Sequence, residues 1–500
     1  MSLRLAALFG ALSLAALSGC GGTRFTCDPS TCPTGCCSAT TGRCEPGTST
    51  EACGSSGATC SSCAAGQTCV ANACVTPNTA GGSTAGGASG GGEAGGSGGG
   101  AAAGGTAGGG SAGGSTIQGP VTWYKDVLPV TQTKCLSCHR MGGIGPFPLE
   151  TYAQARPMAA AMKDAVVARR MPPWMPSATC GTPFVNDGSL SPTQIATLAK
   201  WADDGAPEGN PADAPPPPGP VGQLPRVDTT LTMSESYTPT AARTDDYRCF
   251  IVDPALSGAR FVTGYDILPG VTAEVHHVIV YIVDRAAART KDMGEAGPGW
   301  TCYGDSGVSN SPGPIGAWAP GTGAVVYPAG TGIQLQPSQA LAMQIHYNTN
   351  GGTRTPDQTA IKLMYAPAGA SVTNAYLLPL VGNGFTIPPN SMGYTHTRSF
   401  ANPTRVLPIK VYGLMPHMHT LGKRITIAGV PSANTEDCLV DIPRWDFHWQ
   451  SQYFRPQPYT VPANGSLKMT CTWDNPTTRT VRWGEGTDDE MCFAYIYATP

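Results

Sequence analysis

The 500-residue sequence predicts a multidomain, mainly β-sheet chain, with a small all-α domain and a disulfide-rich module ahead of the sheets. Short runs rich in Val, Ile, Tyr and Thr, separated by Gly, Pro and Asn, fill residues 226–500, as expected for antiparallel β-sandwiches. Amphipathic helical patterns occur in residues 117–209, and long ones are absent from the later region. Ten cysteines lie between Cys27 and Cys74, in a segment too short and polar to bury a core.

Residues 1–19 have the features of a lipoprotein signal peptide. Arg4 precedes a short apolar segment, and Leu17-Ser-Gly-Cys20 resembles a bacterial lipobox. Cleavage before Cys20 would leave an acylated cysteine and so a lipid anchor in the membrane. The alternative is an ordinary signal peptide with a chance cysteine. Both predict export, and since no acidic residue follows Cys20, the outer membrane or cell surface is the expected location.

The ten cysteines from Cys27 to Cys74 predict a disulfide-stapled module over residues 20–79, because export exposes thiols to oxidation. Metal binding through Cys60 and Cys63 is the alternative, disfavoured by the irregular spacing of the other cysteines. Residues 80–116 are almost wholly Gly, Ala, Ser and Thr and predict a flexible linker. The prolines of residues 210–225 predict a stiffer linker.

The helical domain, residues 117–209, contains Cys135-Leu-Ser-Cys138-His139. Cys-x-x-Cys-His is the attachment motif of c-type haem, in which two thioether bonds hold the porphyrin and the histidine is the proximal ligand. A chance match or a structural thiol pair is the alternative. The domain resembles a class I cytochrome c, which implies one covalently attached haem, with Met171 as the expected distal ligand and Met175 as the alternative.

A capped helix closes this domain. Ser191 is a good N-cap, Pro192 fits the first helical position and Gln194 completes a capping box, while Gly205 ends the pattern. The net charge of −3 and the lack of any basic run give no indication of nucleic-acid binding.

The later region contains two sets of three candidate metal ligands. They are His276, His277 and His346, and His417, His419 and Met491. Imidazole suits copper, zinc and iron, and a thioether favours Cu(I), so the two sets together indicate copper. His417 and His419 are two apart in a predicted strand, which places both rings on one face. His276 and His277 are adjacent, so either a bulge re-aims one ring or the metal lies at the end of the strand.

These residues resemble the copper type II, ascorbate-dependent monooxygenases. The resemblance implies two antiparallel β-sandwich (jelly-roll) subdomains, residues 226–369 and 370–500, with a solvent-filled cleft between them. One copper, which stores an electron, would be held by His276, His277 and His346 in a Gln-x-His-Tyr context that includes Gln344. The second, which activates O2, would be held by His417, His419 and Met491. A disulfide between Cys471 and Cys492 is also implied, whereas the pairing of Cys180, Cys249, Cys302 and Cys438 is not.

The chain departs from the peptide-amidating members of the family. Those members bind the substrate carboxylate with an Arg, an Asn and a Tyr, at positions where this chain has Met415, Phe493 and Tyr495. Without the guanidinium there is no bidentate carboxylate clamp. A neutral or aromatic small molecule is therefore the expected substrate, and the resemblance makes Tyr495 and Gln344 the candidate catalytic residues beside the ligands.

The sequence therefore predicts an exported copper monooxygenase that hydroxylates a C–H bond of a small organic molecule with O2. Its two electrons would come from an external reductant or electron-donor protein through the fused haem. The alternative is a non-catalytic haem and copper electron carrier, or a copper-binding surface lipoprotein. The complete second set of ligands, methionine included, favours the enzyme.

Overall fold

The computed structural model describes residues 119–219, 222–240, 244–349 and 354–500, with short pieces at 36–38, 44–45, 59–63, 68–70 and 73–75. The chain forms two compact units, Met1–Gly108 and Gly109–Pro500. The predicted signal peptide, the predicted lipidation site at Cys20 and the whole of the Gly-rich linker, residues 80–116, lie outside the described residues.

The described pieces of the first unit include two short antiparallel pairs of strands. They are β1 (Cys36–Cys37) with β2 (Cys44–Glu45), and β3 (Thr68–Val70) with β4 (Ala73–Val75). A disulfide joins Cys36 to Cys60, and Cys37 and Cys63 are also disulfide-bonded. The predicted disulfide-rich character of this module is therefore confirmed for its described part.

The second unit begins with a helical domain. Its elements are a π-helical turn (Trp123–Val127), α1 (Leu128–Lys134), α2 (Tyr152–Ala155), α3 (Ala159–Val167) and α4 (Pro192–Asp203), with 3-10 turns at Arg156–Met158 and Pro211–Asp213. The capping box predicted for α4 is present, with the Ser191 side chain accepting from Gln194 N–H and the Gln194 side chain accepting from Ser191 N–H. Trp123, Leu198 and Trp201 are fully buried at its centre.

The first sandwich follows. Its strands are β5 (Thr229–Thr232), β6 (Asp245–Val252), β7 (Arg260–Leu268), β8 (Val275–Asp284), β9 (Trp300–Thr301), β10 (Gly313–Trp318), β11 (Val325–Val326), β12 (Thr331–Leu335), β13 (Gln339–Asn348), β14 (Ala360–Tyr365) and β15 (Thr373–Asn374), with one helix, α5 (Arg285–Met293). One sheet has the order β10-β8-β13-β6-β9 and the other β15-β12-β7-β14-β5, with β11 paired to β7. The inner faces of both sheets share one apolar core.

The second sandwich has a similar two-sheet plan. Its strands are β16 (Tyr376–Val381), β17 (Thr386–Ile387), β18 (Ser391–Ala401), β19 (Ile409–His417), β20 (Gly422–Ser432), β21 (Thr435–Ile442), β22 (Tyr453–Val461), β23 (Ser466–Asn475), β24 (Val481–Arg482) and β25 (Phe493–Thr499). The sheets have the orders β16-β25-β19-β22 and β18-β23-β20-β21. The mainly β, antiparallel character predicted from the sequence is confirmed.

The helical domain is attached directly to the second sandwich. The Cys180–Cys438 disulfide joins them. The Trp174 ring packs edge-on against the Tyr453 ring, and the Phe184 ring packs against it at a tilt; in each pair the ring centroids are 5.3 Å apart. Ser177 N–H also donates to the carbonyl of Asp441 at 2.7 Å. These contacts, rather than the proline-rich linker alone, fix the helical domain against the sheets.

The other disulfides lie inside the sandwiches. Cys249 pairs with Cys302, and Cys471 pairs with Cys492, as the family resemblance implies. Among the described residues, no helix is long and apolar enough to cross a bilayer.

Candidate metal centres

The first triad lies on adjacent strands in the middle of a sheet. His346 on β13 is opposite His277 on β8, and the pairing then skips from His346–His277 to Tyr347–Val275. His276 is therefore the extra residue of a β-bulge, one of the two alternatives that the sequence leaves open, and both adjacent rings can face the same point.

Three ring nitrogens converge at this bulge. The Nδ1 of His277 lies 3.3 Å from the Nδ1 of His276 and 3.4 Å from the Nδ1 of His346. One candidate ligand atom from each ring lies within 4.8 Å of the others, a spacing that can hold one metal ion.

A carboxylate orients His346 from behind. The Nε2 of His346 donates to Asp245 Oδ1 at 2.8 Å, so its Nδ1 keeps a lone pair for a metal. The same oxygen accepts from Asn348 Nδ2 at 2.8 Å and Thr487 Oγ1 at 2.9 Å. The hydrogen bond from His346 is the main cause that lowers the pKa of Asp245 to about 2.

Burial keeps the other rings of both triads neutral. Desolvation lowers the pKa of His276 to about 3 and takes that of His277 well below its usual value. The same cause lowers the pKa of His417 to about 3 and of His419 to about 4. Neutral imidazole is the form that binds a metal.

The second triad is built at the ends of strands. β19 ends at His417, so His419 lies beyond it in a turn closed by Gly422 N–H to the His419 carbonyl at 3.2 Å. The prediction that both histidines lie within one strand is wrong for His419, because the chain turns there. The two rings are nevertheless 5.1 Å apart between centroids.

Two acceptors hold these rings in one tautomer. The Nδ1 of His417 donates to Gln450 Oε1 at 2.6 Å, and the Nδ1 of His419 donates to the Asp489 carbonyl at 3.0 Å. The Nε2 of each ring therefore keeps its lone pair. Met491, in the segment before β25, lines the same cavity as the two rings.

The buried Glu490 ties this triad together. Its carboxylate accepts from the backbone N–H of His419 and Leu421 at 3.0 and 2.6 Å and from Trp473 Nε1 at 2.7 Å. It also accepts from the N–H of Met491 at 3.3 Å. Glu490 thus holds the turn that carries His419 next to Met491.

A cavity of about 150 Å³ lies between the triads. The resemblance implies a cleft between the two sandwiches, and the structure has a partly enclosed space there. His277, His417, His419 and Met491 line it, together with the apolar side chains of Trp318, Met415, Trp483 and Phe493.

The polar side of the cavity contains two hydrogen-bonded tyrosines, Tyr281 and Tyr495, and Glu485. Burial raises the pKa of Tyr495 to about 12 and that of Glu485 to about 6. Tyr495, a candidate from the sequence, therefore lies at the cavity as a neutral hydroxyl.

Gln344 is buried two residues before His346 on β13. Its Nε2 donates to the carbonyls of Cys302 and Asp305 at 3.3 and 3.0 Å. The segment held in this way includes Gly304, which lines the cavity. Gln344 therefore holds part of the cavity wall in place.

The Cys135-x-x-Cys138-His139 segment forms a tight turn after α1. Cys135 and Cys138 are unpaired thiols, and the Nδ1 of His139 donates to the Phe147 carbonyl at 2.9 Å, which leaves Nε2 free to ligate. A Cβ on Gly145 would lie only 2.8 Å from His139 Nδ1, so this loop packs closely on the ring.

A cavity of about 720 Å³ adjoins the same domain. Met171 and Met175 line it, as do Val166, Leu190 and Ile195. The last three pack in the apolar core that Cys135 also contacts. None of Cys135, Cys138 and His139 lines this cavity.

Several residues near the triads have no signal in the sequence. Asp245, Gln450 and Phe447 reach the histidines from positions far away along the chain, so no spacing pattern includes them. Glu490 is different because it directly precedes Met491. An acidic residue next to a predicted ligand could have been identified from the sequence.

Two family models match the sheets of this chain. The model described as copper type II ascorbate-dependent monooxygenase, N-terminal domain, matches residues 229–354. The model of the C-terminal domain of the same family matches residues 373–499. The two matches follow one another in order and contain both triads.

Other comparisons add little. No curated protein sequence matches the chain. The cryo-EM structure of Broad Bean Stain Virus is similar over 54% of this chain and 88% of that chain, at 5% identity and a TM-score of 0.27. PNGase F from Flavobacterium meningosepticum is similar over 54% and 96%, at 10% identity and a TM-score of 0.23. Such low scores support no functional argument.

Proposed function

The chain belongs to the copper type II ascorbate-dependent monooxygenase family, and from that premise we propose that it hydroxylates a C–H bond of a small organic substrate. A monooxygenase of this family uses O2, a substrate and a reductant. The reaction consumes the substrate, O2, two electrons and two protons, and yields the alcohol and water. The observation that carries the proposal is the cavity into which one histidine of the first triad and all three residues of the second open.

Two copper ions would be held by this chain's own side chains. The Nδ1 atoms of His276, His277 and His346 would hold the first, and the Nε2 atoms of His417 and His419 with the Met491 sulfur would hold the second. Neutral imidazoles suit copper, and a thioether favours Cu(I). When bound, copper supplies one-electron redox chemistry and O2 activation.

The cavity supports a neutral aromatic substrate. Trp318, Met415 and Phe493 provide apolar surface for a ring. Tyr495 offers a hydroxyl to a polar substituent. Among the described residues, no Lys or Arg side chain lines the cavity, so a carboxylate would be left without a partner there, next to Glu485.

We propose that a covalent c-type haem delivers the electrons. Two free thiols one turn apart and an imidazole whose Nδ1 is already hydrogen-bonded form the donor set that such a haem requires. Met175 Sδ accepts from the Asp446 N–H at 3.2 Å, which favours Met171 as the distal ligand. An external donor would reduce this haem.

Export is supported by the disulfides, since these persist in oxidising compartments. A lipid anchor at Cys20, at the outer membrane or the cell surface, completes the proposal.

The test is turnover with labelled oxygen. Copper-loaded protein receives a panel of small aromatic alcohols, ethers and alkylbenzenes with ascorbate and isotopically labelled O2. The proposal requires that one labelled oxygen atom enter the product for each O2 consumed, only when copper is present. Oxygen uptake that yields peroxide without labelled product would contradict it.

A further inference from the structure

Residues 485–491, between β24 and β25, contact groups of both triads; we name them the 485–491 segment. The end of the segment helps to build the second triad. The Asp489 carbonyl accepts from His419 Nδ1 at 3.0 Å, and the Glu490 carboxylate accepts from the His419 N–H at 3.0 Å. Met491, the last residue of the segment, is itself a proposed ligand.

The middle of the segment reaches the first triad. Thr487 Oγ1 donates to Asp245 Oδ1 at 2.9 Å, and the same carboxylate oxygen accepts from His346 Nε2 at 2.8 Å. Asn348 Nδ2 donates to both Asp245 Oδ1 and Thr487 Oγ1, at 2.8 and 3.2 Å. One oxygen atom thus joins a ligand of the first triad to the segment that carries a ligand of the second.

A tyrosine makes a parallel connection. The Tyr247 ring stacks on the His346 ring, with centroids 4.1 Å apart and planes 6° apart. Its hydroxyl donates to the Glu485 carbonyl at 2.6 Å. Tyr247 and Asp245 both belong to β6. One strand of the first sandwich therefore holds the 485–491 segment at two points, both next to His346.

Backbone hydrogen bonds close the segment into a compact loop. The Gly484 N–H donates to the Glu490 carbonyl at 3.3 Å, and the Asp489 N–H donates to the Gly486 carbonyl at 2.9 Å. A hydrogen-bonded loop of this kind transmits a displacement from one end to the other. A shift of Thr487 should therefore also shift the carbonyl that orients His419.

A metal on the first triad would fix the proton of His346. A neutral imidazole carries one proton on either nitrogen, and His346 has an acceptor for both positions, His277 Nδ1 at 3.4 Å and Asp245 Oδ1 at 2.8 Å. A metal bound to Nδ1 leaves the proton on Nε2, which then always donates to Asp245. Asp245 is thereby held where it accepts from Thr487.

We propose that Thr487 is a positioning residue shared by the two proposed copper sites, and that through it copper at the first triad raises the copper affinity of the second. This inference rests on the two copper centres of the proposed function. Coupling is reciprocal, so copper at the second triad raises the affinity of the first by the same factor. Couplings between sites are typically about 5- to 150-fold, and we expect a factor of at least about five.

A second contact spans the triads without this hydrogen bond. The Phe447 ring stacks on the His276 ring, with centroids 4.8 Å apart, and meets the His419 ring edge-on, with centroids 5.9 Å apart. This contact contains no proton that a metal would fix. Phe447→Leu should therefore leave the coupling factor unchanged.

The experiment measures Cu(I) binding to the full chain by competition with a chelator, without O2 or substrate. The wild type gives the product of the two binding constants. Met491→Ala and His276→Ala, each of which lacks a ligand of one triad, give the constant of the other triad alone. The coupling factor is the wild-type product divided by the product of the two single constants.

The same three measurements are repeated with Thr487→Val, which removes the hydroxyl and keeps the shape of the side chain. The coupling factor should fall to about one, because no hydrogen bond then joins Asp245 to the segment. Thr487→Ser retains the hydroxyl and should keep the factor of the wild type. Asp245→Asn retains the acceptor oxygen and should keep it as well.

The matched control is Thr397→Val. Thr397 lies on β18 and shares an exposed hydroxyl hydrogen bond of 2.9 Å with Thr470, so its loss should not change the coupling factor. If Thr487→Val does not fold, Thr487→Ala replaces it, because it removes the same hydroxyl without placing a methyl group beside Asp245.

The outcomes separate the coupling from the proposed function. A factor that persists without the Thr487 hydroxyl, or that disappears in Phe447→Leu or Thr397→Val, overturns the inference. Two coppers in the wild type with a factor of about one or less also overturn it and leave the proposed function intact. A wild type that binds a single copper would refute the proposed copper centres themselves.

Discussion

The two triads are built in different ways. The first lies in the interior of a sheet, on the neighbouring strands β8 and β13, and a carboxylate, Asp245, orients His346. The second lies where β19 ends and just before β25 begins, and a neutral amide and a backbone carbonyl orient its rings. In the proposed centres, Nδ1 atoms of the first triad and Nε2 atoms of the second would face the metal.

The triads also differ in access. His417, His419 and Met491 all line the cavity, whereas His277 alone does so from the first triad. A site that meets substrate must open to the cavity, and a site that only stores an electron need not. The difference supports a division of roles in which the chemistry occurs at the second triad.

The largest expected difference between the two triads comes from Met491→Ala, which changes the second triad only. Even changes behind the ligands of a metal site cost about 10- to 100-fold, so removal of a ligand should lower hydroxylation at least about 100-fold. The first copper and the reduction of the haem should be retained. Product formation, metal content and haem absorbance measure these effects. Met392→Ala, an exposed methionine in β18, is the control; a Met491→Ala enzyme as active as this control would remove the methionine from the site.

Asp245→Asn should affect the first triad alone. Loss of the charge behind His346 should weaken copper binding there about 10- to 100-fold, measured by competition with a Cu(I) chelator. Affinity at the second triad should not change. Asp253→Asn, which breaks an ion pair with Arg285 on the far end of the same sheet, should leave both affinities intact. Equal weakening at both triads would indicate a general loss of structure.

Gln450→Leu tests the comparison further, because the hydrogen bond from His417 to the Gln450 side chain involves no charged group. Such a bond contributes about 1 kcal/mol, which corresponds to roughly a fivefold change in affinity. The copper affinity of the second triad should therefore fall less in Gln450→Leu than the copper affinity of the first triad falls in Asp245→Asn. The same chelator competition measures both, and the reverse order would contradict the anchoring described for the two triads.

The smallest effect concerns pH. Burial is the main cause that raises the pKa of Glu485 to about 6, so its carboxyl is neutral below that pH and negative above it. An aromatic substrate with a carboxylate should show a rising KM as the pH increases through about 6, by roughly the 1 kcal/mol of repulsion between two charges about 4 Å apart in water. Its neutral analogue should show no such rise.

Glu485→Gln supplies the control for this pH effect. The variant should have a flat KM profile for both substrates across the same range. A rise in KM that persists in Glu485→Gln would assign the titration to another group.

Local patterns predicted much of this architecture. The runs around His276, His346, His417 and Met491 are strands or adjoin them, and the Ser191 capping box starts α4. These features depend on neighbours in sequence, which periodicity and capping chemistry describe well.

Contacts between distant residues could not be predicted in this way. The Cys180–Cys438 disulfide closes a separation of 258 residues, and Asp245 reaches His346 across 101. The packing of the sheets brings such partners together. Local patterns in a single sequence do not reveal that packing. The ligand roles, the haem and the lipid anchor stay predictions that chemistry must test.

The measurement that tests the central claim most directly is the metal content of the mature protein after copper loading and dialysis. The account predicts two coppers and one covalently bound iron per chain, with one copper lost in Met491→Ala and the other in His346→Ala. A single copper in the wild type, or the loss of both coppers in either variant, would contradict the existence of two separate sites.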